Sequence, residues 1–224
     1  MADHMQDEAD LEAIKRWWDE NGKSLIIAVV VAVAGTLGWQ QYQGYQGSRE
    51  QAASDLYASM LAIQLEEGEP AAMAAAAATL KSEHSGSAYA QFAAMLEARV
   101  AVEAGDLESA EASLRWALSV GDTRSDIGQL IQLRLARVLA ARGAVDEALA
   151  ILDQAGNAYP VAYAQAKGDI HLAAGRVEEA LAAYRTGRDA SAELGEINVL
   201  LDNKVRGLET RLPNVAVEID GEPG

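Results

Sequence analysis

The chain has 224 residues and a formal net charge of −16, because 34 aspartates and glutamates outweigh 18 lysines and arginines. So acidic a chain lacks the clustered positive charge that neutralises phosphates, and we expect no nucleic-acid partner. The absence of cysteine excludes disulfide scaffolds, thiol catalysis and cysteine-ligated metals. An alanine-rich composition with only four prolines favours an all-α protein.

An uncharged apolar run near the N-terminus, LIIAVVVAVAGTLGW at residues 25–39, is the most informative segment. Twenty helical residues span about 30 Å, the thickness of the hydrocarbon core of a bilayer. Aromatic side chains typical of membrane interfaces flank the run on both sides, at Trp17, Trp18, Trp39, Tyr42 and Tyr45. We therefore predict a single transmembrane helix over residues 24–43, in contact with the lipid bilayer.

Two other interpretations of this segment stay open at this point. It could be a buried helix of a soluble protein, or a signal peptide cleaved near Ala34, since Ala32-Val33-Ala34 has the small-x-small form of a cleavage site. The preceding residues, however, carry seven acidic side chains, whereas the corresponding region of a signal peptide is short and basic. The pattern favours a retained anchor.

Basic residues near the ends of the segment predict its orientation. Lys15, Arg16 and Lys23 precede it, whereas only Arg49 follows it within the next thirty residues or so. Residues 1–23 are therefore expected in the cytoplasm and the remainder across the membrane, in the periplasm if the cell is bacterial.

Within the apolar run, Ala34 and Gly38 form a small-xxx-small pair. Such spacing lets a second membrane helix approach closely, so both residues are candidates for helix packing. The alternative is that glycine and alanine are simply common in membrane helices.

Beyond this segment, alanine-rich amphipathic stretches align on Gly105, Gly143 and Gly175, which are 38 and 32 residues apart. These spacings bracket the 34-residue period of tetratricopeptide repeats. A small residue stands seven positions before each glycine. Counted from the glycine, an apolar residue follows at +2, an alanine at +5, a large residue at +9 and a small residue at +12. The residues that share these positions are Ala98, Leu107, Ala110, Leu114 and Ala117, then Ala136, Val145, Ala148, Leu152 and Ala155, then Gly168, Val177, Ala180, Tyr184 and Gly187. We expect each glycine to end helix A of a hairpin with positive φ, and the small residues to let helices cross closely.

The two ends of this region diverge from the pattern. Residues 48–66 and 70–81 predict a degenerate helix pair around Gly68, in which Met73 replaces the alanine at +5. Residues 191–209 predict a last, capping helix, and residues 210–224 a flexible tail. The predicted fold is all-α: a single N-terminal transmembrane helix, then a tetratricopeptide-like α-solenoid over residues 44–209.

Four stretches are similar to a known family. LEAIKRWWDENGKSL lies directly before a membrane helix that ends in Gly-Trp, and LIQLRLARVLAARG, AKGDIHLAAGR and LLDNKVRGL follow further along the chain. Together they resemble the YfgM family of ancillary subunits of the bacterial SecYEG translocon. The resemblance implies an inner-membrane protein with a periplasmic domain. It also implies three partners, namely the translocon, a membrane-anchored periplasmic chaperone of the prolyl-isomerase type, and newly exported client proteins.

Stacked helix hairpins form a concave surface lined chiefly by helix A of each repeat, and this surface is the predicted binding site. The candidate residues are Phe92, Met95, Arg99, Leu130, Leu133, Arg137, Gln165 and Asp169. Arg99 and Arg137 fall in one column, where their planar guanidinium groups could bind a carboxylate or the backbone carbonyls of an extended peptide. Alternatively, each is a surface arginine paired with a nearby carboxylate such as Glu97 or Glu103. The role of Arg134 is undecided.

Catalysis finds no support in the sequence. His84 lies in the loop-like stretch SEHSGS, and His171 falls in a helix at a position that packs internally, so neither indicates a triad or a metal ligand. We predict a non-enzymatic, cofactor-free scaffold or chaperone anchored in the membrane. The alternatives are an adaptor for envelope assembly or signalling unrelated to the translocon, and a secreted enzyme released by cleavage near Ala34.

Overall fold

The computed structural model describes residues 2–66, 68–154, 156 and 158–211. These residues form nine helices and no strand. In chain order the helices are α1 Ala2–Leu65, α2 Pro70–Glu83, α3 Ala88–Glu103, α4 Leu107–Val120, α5 Asp126–Ala141, α6 Val145–Asp153, α7 Pro160–Ala173, α8 Val177–Glu193 and α9 Val199–Glu209. The chain divides into two compact units, residues 1–52 and 53–224. Apart from Thr210 and Arg211, the predicted tail lies outside the described residues.

The first unit consists of α1 up to Ala52. The helix runs without a break through the predicted membrane segment and through the glutamine- and glycine-rich stretch that follows it. By length and composition it is the one described helix able to cross a membrane, and only 6% of its most apolar window is buried. Side chains such as Ile27, Val31 and Leu37 are more than 60% exposed. This exposure does not fit the core helix of a soluble protein, which leaves the retained anchor and the cleaved signal peptide.

In the second unit, the three aligned glycines end helix A of three hairpins, as predicted: α3–α4, α5–α6 and α7–α8. Gly105, Gly143 and Gly175 have φ of 78°, 88° and 76°. In each turn the amide of the next residue donates to a carbonyl five residues earlier, at distances of 2.8 to 2.9 Å: Asp106 to Ala101, Ala144 to Leu139, and Arg176 to His171. Only glycine adopts this left-handed conformation without strain, which explains why it recurs at this position.

Small and large residues at the helix crossings are matched within each hairpin. Ala110, Ala148 and Ala180 have no exposed surface, and the large residues at +9, Leu114, Leu152 and Tyr184, are at most 2% exposed. A methyl group on Gly168 would lie 2.4 Å from the ring of Tyr184, so the residue opposite the larger side chain has to be glycine. The first two hairpins have alanine in that place, Ala98 and Ala136, opposite leucine. Ala155, at +12 of the second hairpin, lies outside the described residues.

Two buried glutamines of helix A bind backbone groups at the end of helix B or in the connections between hairpins. Gln91 and Gln129 stand fourteen residues before their glycines and are 8% and 6% exposed. The Gln91 amide donates to the carbonyl of Ala117 over 3.1 Å at the end of α4. The Gln129 amide donates to the Arg124 carbonyl over 2.9 Å, and its oxygen accepts the Ala158 amide over 2.9 Å. These contacts satisfy backbone groups at a helix end and in loops that would otherwise stay unpaired, and no sequence pattern predicted them.

The degenerate pair contributes a second core. Ala53 and Met60 of α1, Met73 and Leu80 of α2, and Ala93 of α3 are all buried in one cluster. Met73 is 8% exposed, so the larger residue at this +5 position is accommodated rather than expelled.

The prediction of one helix over residues 191–209 is wrong. Helix α8 continues to Glu193, the chain turns at Gly195 with φ of 75°, and α9 begins only at Val199. The Glu196 amide donates to the Ser191 carbonyl over 2.9 Å, the same closure as in the other three turns. A fourth glycine turn thus interrupts the apparent helical periodicity, and Ile197 is left 87% exposed instead of packed.

Candidate partner-binding cleft

An open cleft of about 370 Å³ lies in the second unit between the first two hairpins. Its walls come from α3 and α5, the two A helices, and from α4. The lining residues are Met95, Ala98, Arg99, Val102, Glu103, Leu107, Leu114, Arg134, Arg137, Val138 and Ala141. Met95, Leu114 and Val138 are at most 7% exposed and form an apolar floor, whereas the charged side chains stand exposed around it.

The charges around the cleft are not equivalent. The Arg99 Nε lies 2.8 Å from Glu103 Oε1 one helical turn later, in an exposed pair that contributes little to stability. Glu97, the other carboxylate considered for Arg99, pairs instead with Lys81 over 2.6 Å. Arg99 is therefore a surface arginine paired with Glu103, which is the alternative that the sequence left open.

Arg134 and Arg137 differ from Arg99. Neither makes an ion pair with a described residue, and both side chains are exposed at the edge of the cleft. Their separation of three residues places them on one face of α5. Two guanidinium groups that make no ion pair with a described residue thus adjoin an apolar surface, an arrangement suited to a negatively charged ligand.

Of the eight predicted binding residues, three line this cleft: Met95, Arg99 and Arg137. Leu133 is 3% exposed and belongs to the main core, with Leu130 partly buried against it. Gln165 is half-buried on α7 and is not part of the cleft. The structure thus places the eight residues in several different surroundings, and their role in binding stays a prediction.

Phe92, near the N-terminal end of α3, packs against two other aromatic side chains. Its ring centroid lies 5.8 Å from that of Tyr57 and 6.3 Å from that of Tyr89, the second contact being edge-on. Such offset geometry stabilises aromatic pairs beyond the burial of their surface.

Asp169 contacts two side chains of the protein itself. Its Oδ1 accepts a hydrogen bond of 2.6 Å from the hydroxyl of Tyr184 and forms an ion pair with Lys204 of α9. Burial, and then the hydrogen bond to Asp169, raise the pKa of Tyr184 well above its ordinary value, so the hydroxyl stays protonated as the donor. The carboxylate therefore joins the third hairpin to the last helix.

Only three of the eleven lining residues were predicted from the sequence as binding residues. The prediction used only fixed columns of helix A, whereas Val102, Glu103 and Leu107 line the cleft where α3 ends and the chain turns into α4. Val102 is apolar yet 43% exposed, which marks it as a candidate binding residue, but this exposure is visible only in the folded structure. Arg134 belongs to no repeated column, so no sequence signal distinguished it.

Ala34 and Gly38 are exposed on α1, and apart from the adjoining backbone of α1 no atom of the described residues lies within 4 Å of the position that a methyl group on Gly38 would take. Their predicted packing against another helix stays a prediction.

His84 and His171 are separate from the cleft. His84 is half-buried at the C-terminal end of α2, and the Nδ1 of His171 is buried with no hydrogen-bond partner among the described residues. In the part of the chain that the structure describes, no three His, Cys, Asp or Glu side chains are grouped so that they could hold a metal ion.

Comparison with known proteins identifies the family. A tetratricopeptide repeat-like domain family matches residues 15–210. The ancillary SecYEG translocon subunit of Haemophilus influenzae is 31% identical over 196 residues, which cover 87% of this chain and 94% of that protein. The proteins of the same name from Aggregatibacter actinomycetemcomitans and Escherichia coli are 32% and 30% identical, covering 91% and 84% of this chain and 100% and 90% of their own lengths.

No solved structure shows a significant match to the chain. The repeat-like fold and the names of the relatives point to a non-catalytic adaptor. The family match covers most of the chain, and two relatives are 31% and 32% identical to it. The chain therefore belongs to the YfgM family of tetratricopeptide-repeat proteins, as its sequence motifs predicted.

Proposed function

We propose that this protein is an ancillary subunit of the SecYEG translocon and serves as a membrane-anchored scaffold or chaperone for exported proteins. The observation that carries the proposal is the match, over 82 to 91% of the chain, to four relatives that all bear this name. The exposed apolar helix supports it, since an inner-membrane protein needs such an element.

The proposed topology follows from the charges beside the anchor. Residues 1–23 stay in the cytoplasm, residues 24–43 span the inner membrane, and residues 44–209 form a periplasmic repeat domain. Lysine and arginine are concentrated before the span, at Lys15, Arg16 and Lys23, and cytoplasmic flanks carry such an excess. Ala34 and Gly38 then provide a surface where a translocon helix can pack closely.

The repeat domain is proposed to bind two kinds of protein. One is a membrane-anchored periplasmic chaperone of the prolyl-isomerase type, and the other is newly exported clients. The cleft between α3 and α5 supports this role, because an apolar floor with exposed polar edges is typical of sites that bind partner side chains.

Purification in mild detergent from cells that express a tagged copy tests the proposal. We expect the translocon subunits to co-purify with the full chain, and the association to weaken when residues 1–43 are replaced by an unrelated transmembrane anchor. Intact mass of the purified chain distinguishes a retained anchor from cleavage near Ala34. A chain that lacks its first 34 residues, or one that never brings down the translocon, contradicts the proposal.

Site-specific photo-crosslinking in living cells tests the binding surface. A crosslinker at Arg99 or Arg137 is expected to capture envelope proteins that one at Arg206, an exposed arginine of α9, does not capture. If only cell-wall or outer-membrane proteins are captured, the protein is an envelope-assembly adaptor rather than a translocon subunit.

A further inference from the structure

We infer that the cleft between the first two hairpins selects partner segments in which a large apolar side chain stands next to a carboxylate. The inference rests on the proposed function, since it specifies which feature of a partner protein the cleft recognises. Three observations carry it: the apolar floor, the two arginines beside it and the charge of the rest of the molecule.

The floor determines the first half of the recognised feature. Met95, Leu114 and Val138 form an apolar surface, and Val102 extends it outwards with 43% of its surface exposed. A cavity of about 370 Å³ exceeds what a single methyl group fills, and it suits a leucine-sized or aromatic side chain. Burial of such a side chain removes apolar surface from water on both partners, which favours binding.

The arginines determine the second half. Arg115, Arg142, Arg176 and Arg185 each pair with an aspartate or glutamate of another helix. Arg134 and Arg137 make no ion pair with any described residue although the chain carries a net charge of −16. The one carboxylate that lines the cleft, Glu103, pairs with Arg99. In a protein with nearly twice as many acidic as basic residues, two nearby arginines that make no ion pair with a described residue and lie beside an apolar cleft are suited to receive a carboxylate from a ligand.

The third arginine of the cleft contributes less to this recognition. Arg99 is already neutralised by Glu103, so the positive potential is concentrated on the α5 side of the cleft. A planar guanidinium group donates two parallel hydrogen bonds to a carboxylate, whereas a backbone carbonyl accepts without a charge. A lysine-rich segment would be repelled from Arg134 and Arg137, and the acidic surfaces elsewhere on the chain would attract it instead.

Methyl NMR of the full chain in detergent micelles tests the inference, because Met95 places a reporter in the floor of the cleft. The probe is the synthetic peptide Ac-Gly-Ser-Leu-Glu-Leu-Glu-Ser-Gly-NH2, compared with versions that carry Gln or Lys in place of both Glu residues. We expect the Glu peptide to shift the Met95 methyl signal, assigned with Met95→Leu, while Met60 and Met73 of the other core cluster stay unchanged.

Matched arginine variants complete the test. Arg134→Gln and Arg137→Gln are each expected to weaken binding of the Glu peptide by about threefold, and the double variant by about tenfold. Arg206→Gln, which removes an exposed arginine outside the cleft, is expected to leave binding unchanged. Because the arginines are exposed, the variants should unfold at the wild-type temperature.

The outcomes separate this inference from the proposed function. Equal shifts with the Glu and Gln peptides, or full binding in the double variant, overturn the charge selection. No Met95 shift with any peptide overturns the inference as a whole. In either case, co-purification with the translocon and crosslinking from Arg137 can still succeed, so the proposed function is refuted only by its own experiments.

Discussion

The second and third hairpins use the same repeat positions for different purposes. In the second, Ala136 and Leu152 stand at the corresponding repeat positions and are buried in one core cluster, and the next residue of helix A, Arg137, stands exposed at the cleft. In the third, Gly168 lies opposite Tyr184, whose hydroxyl binds the corresponding residue Asp169. A larger side chain at +9 thus fills the crossing and also brings a polar group that engages the helix A residue. In these two hairpins, the side chain at +9 in helix B therefore decides whether the helix A residue is engaged by a hydrogen bond or left exposed.

Gly168→Ala tests the third hairpin most severely. The added methyl group would lie 2.4 Å from the Tyr184 ring, so either the ring or the helix has to move. We expect a loss of about 1–3 kcal/mol of stability, typical of overpacked cores. Circular dichroism during thermal unfolding of the full chain in detergent measures the effect as a lower midpoint.

The second hairpin supplies the control for this variant. Combining Gly168→Ala with Tyr184→Leu recreates the alanine–leucine pair of Ala136 and Leu152, so the steric part of the loss should disappear. What remains in the double variant is the loss of the tyrosine hydroxyl and ring contacts. If the double variant is no more stable than Gly168→Ala alone, the matched-volume explanation is wrong.

Tyr184→Phe has a smaller expected effect, because it removes only the hydroxyl that donates to Asp169. We expect a loss of about 1 kcal/mol, the typical net contribution of such a hydrogen bond. Hydrogen exchange should quicken in α9, which Lys204 joins to the same carboxylate, while the α3–α4 hairpin keeps its protection. Uniformly faster exchange in both places would contradict a local connection between the third hairpin and α9.

Alkaline pH gives the most gradual test, at the junction of the second and third hairpins. Tyr163 is 5% exposed and donates to the Gln129 carbonyl over 2.5 Å. Burial, and then the charge of Tyr159, raise the pKa of Tyr163 from 10.0 to about 12. Because the folded pKa lies above the unfolded one, this contribution is fully present below pH 10 and is lost as the pH rises towards 12.

At pH 11 the loss attributable to Tyr163 is on the order of 1 kcal/mol relative to pH 9. Tyr163→Phe lowers stability at both values but lacks this titration, so the gap between wild type and variant should narrow from pH 9 to pH 11. Unfolding midpoints at the two pH values measure it, and a constant gap would show that Tyr163 does not titrate differently in the folded chain.

Local patterns predicted the hairpins well, because a glycine turn and the spacing of small residues are visible in single segments. The turn at Gly195 was missed because the apolar residues around it, Leu194 and Ile197, imitate a continuous helical face although both are exposed. The last helix therefore appeared longer than it is.

The candidate site was predicted only in part, for a different reason. Which residues of helix A face a ligand depends on contacts between positions far apart in the chain. Asp169 meets Lys204 thirty-five residues later, and Gln129 meets Ala158 twenty-nine residues later. No periodicity within one helix encodes such pairs, so Asp169 stayed among the predicted binding residues beside Arg137.

The equivalent turns at Gly105, Gly143 and Gly175 make these points natural junctions for recombination within the gene. Deleting residues 106–143 would place Ala98 opposite Leu152, a combination whose volumes the molecule already contains. Deleting residues 144–175 would place Ala136 opposite Tyr184, where the ring leaves no space for a methyl group. The hairpins are therefore not equally exchangeable in evolution. The first two can replace each other, whereas the third can be exchanged only if Gly168 and Tyr184 move together.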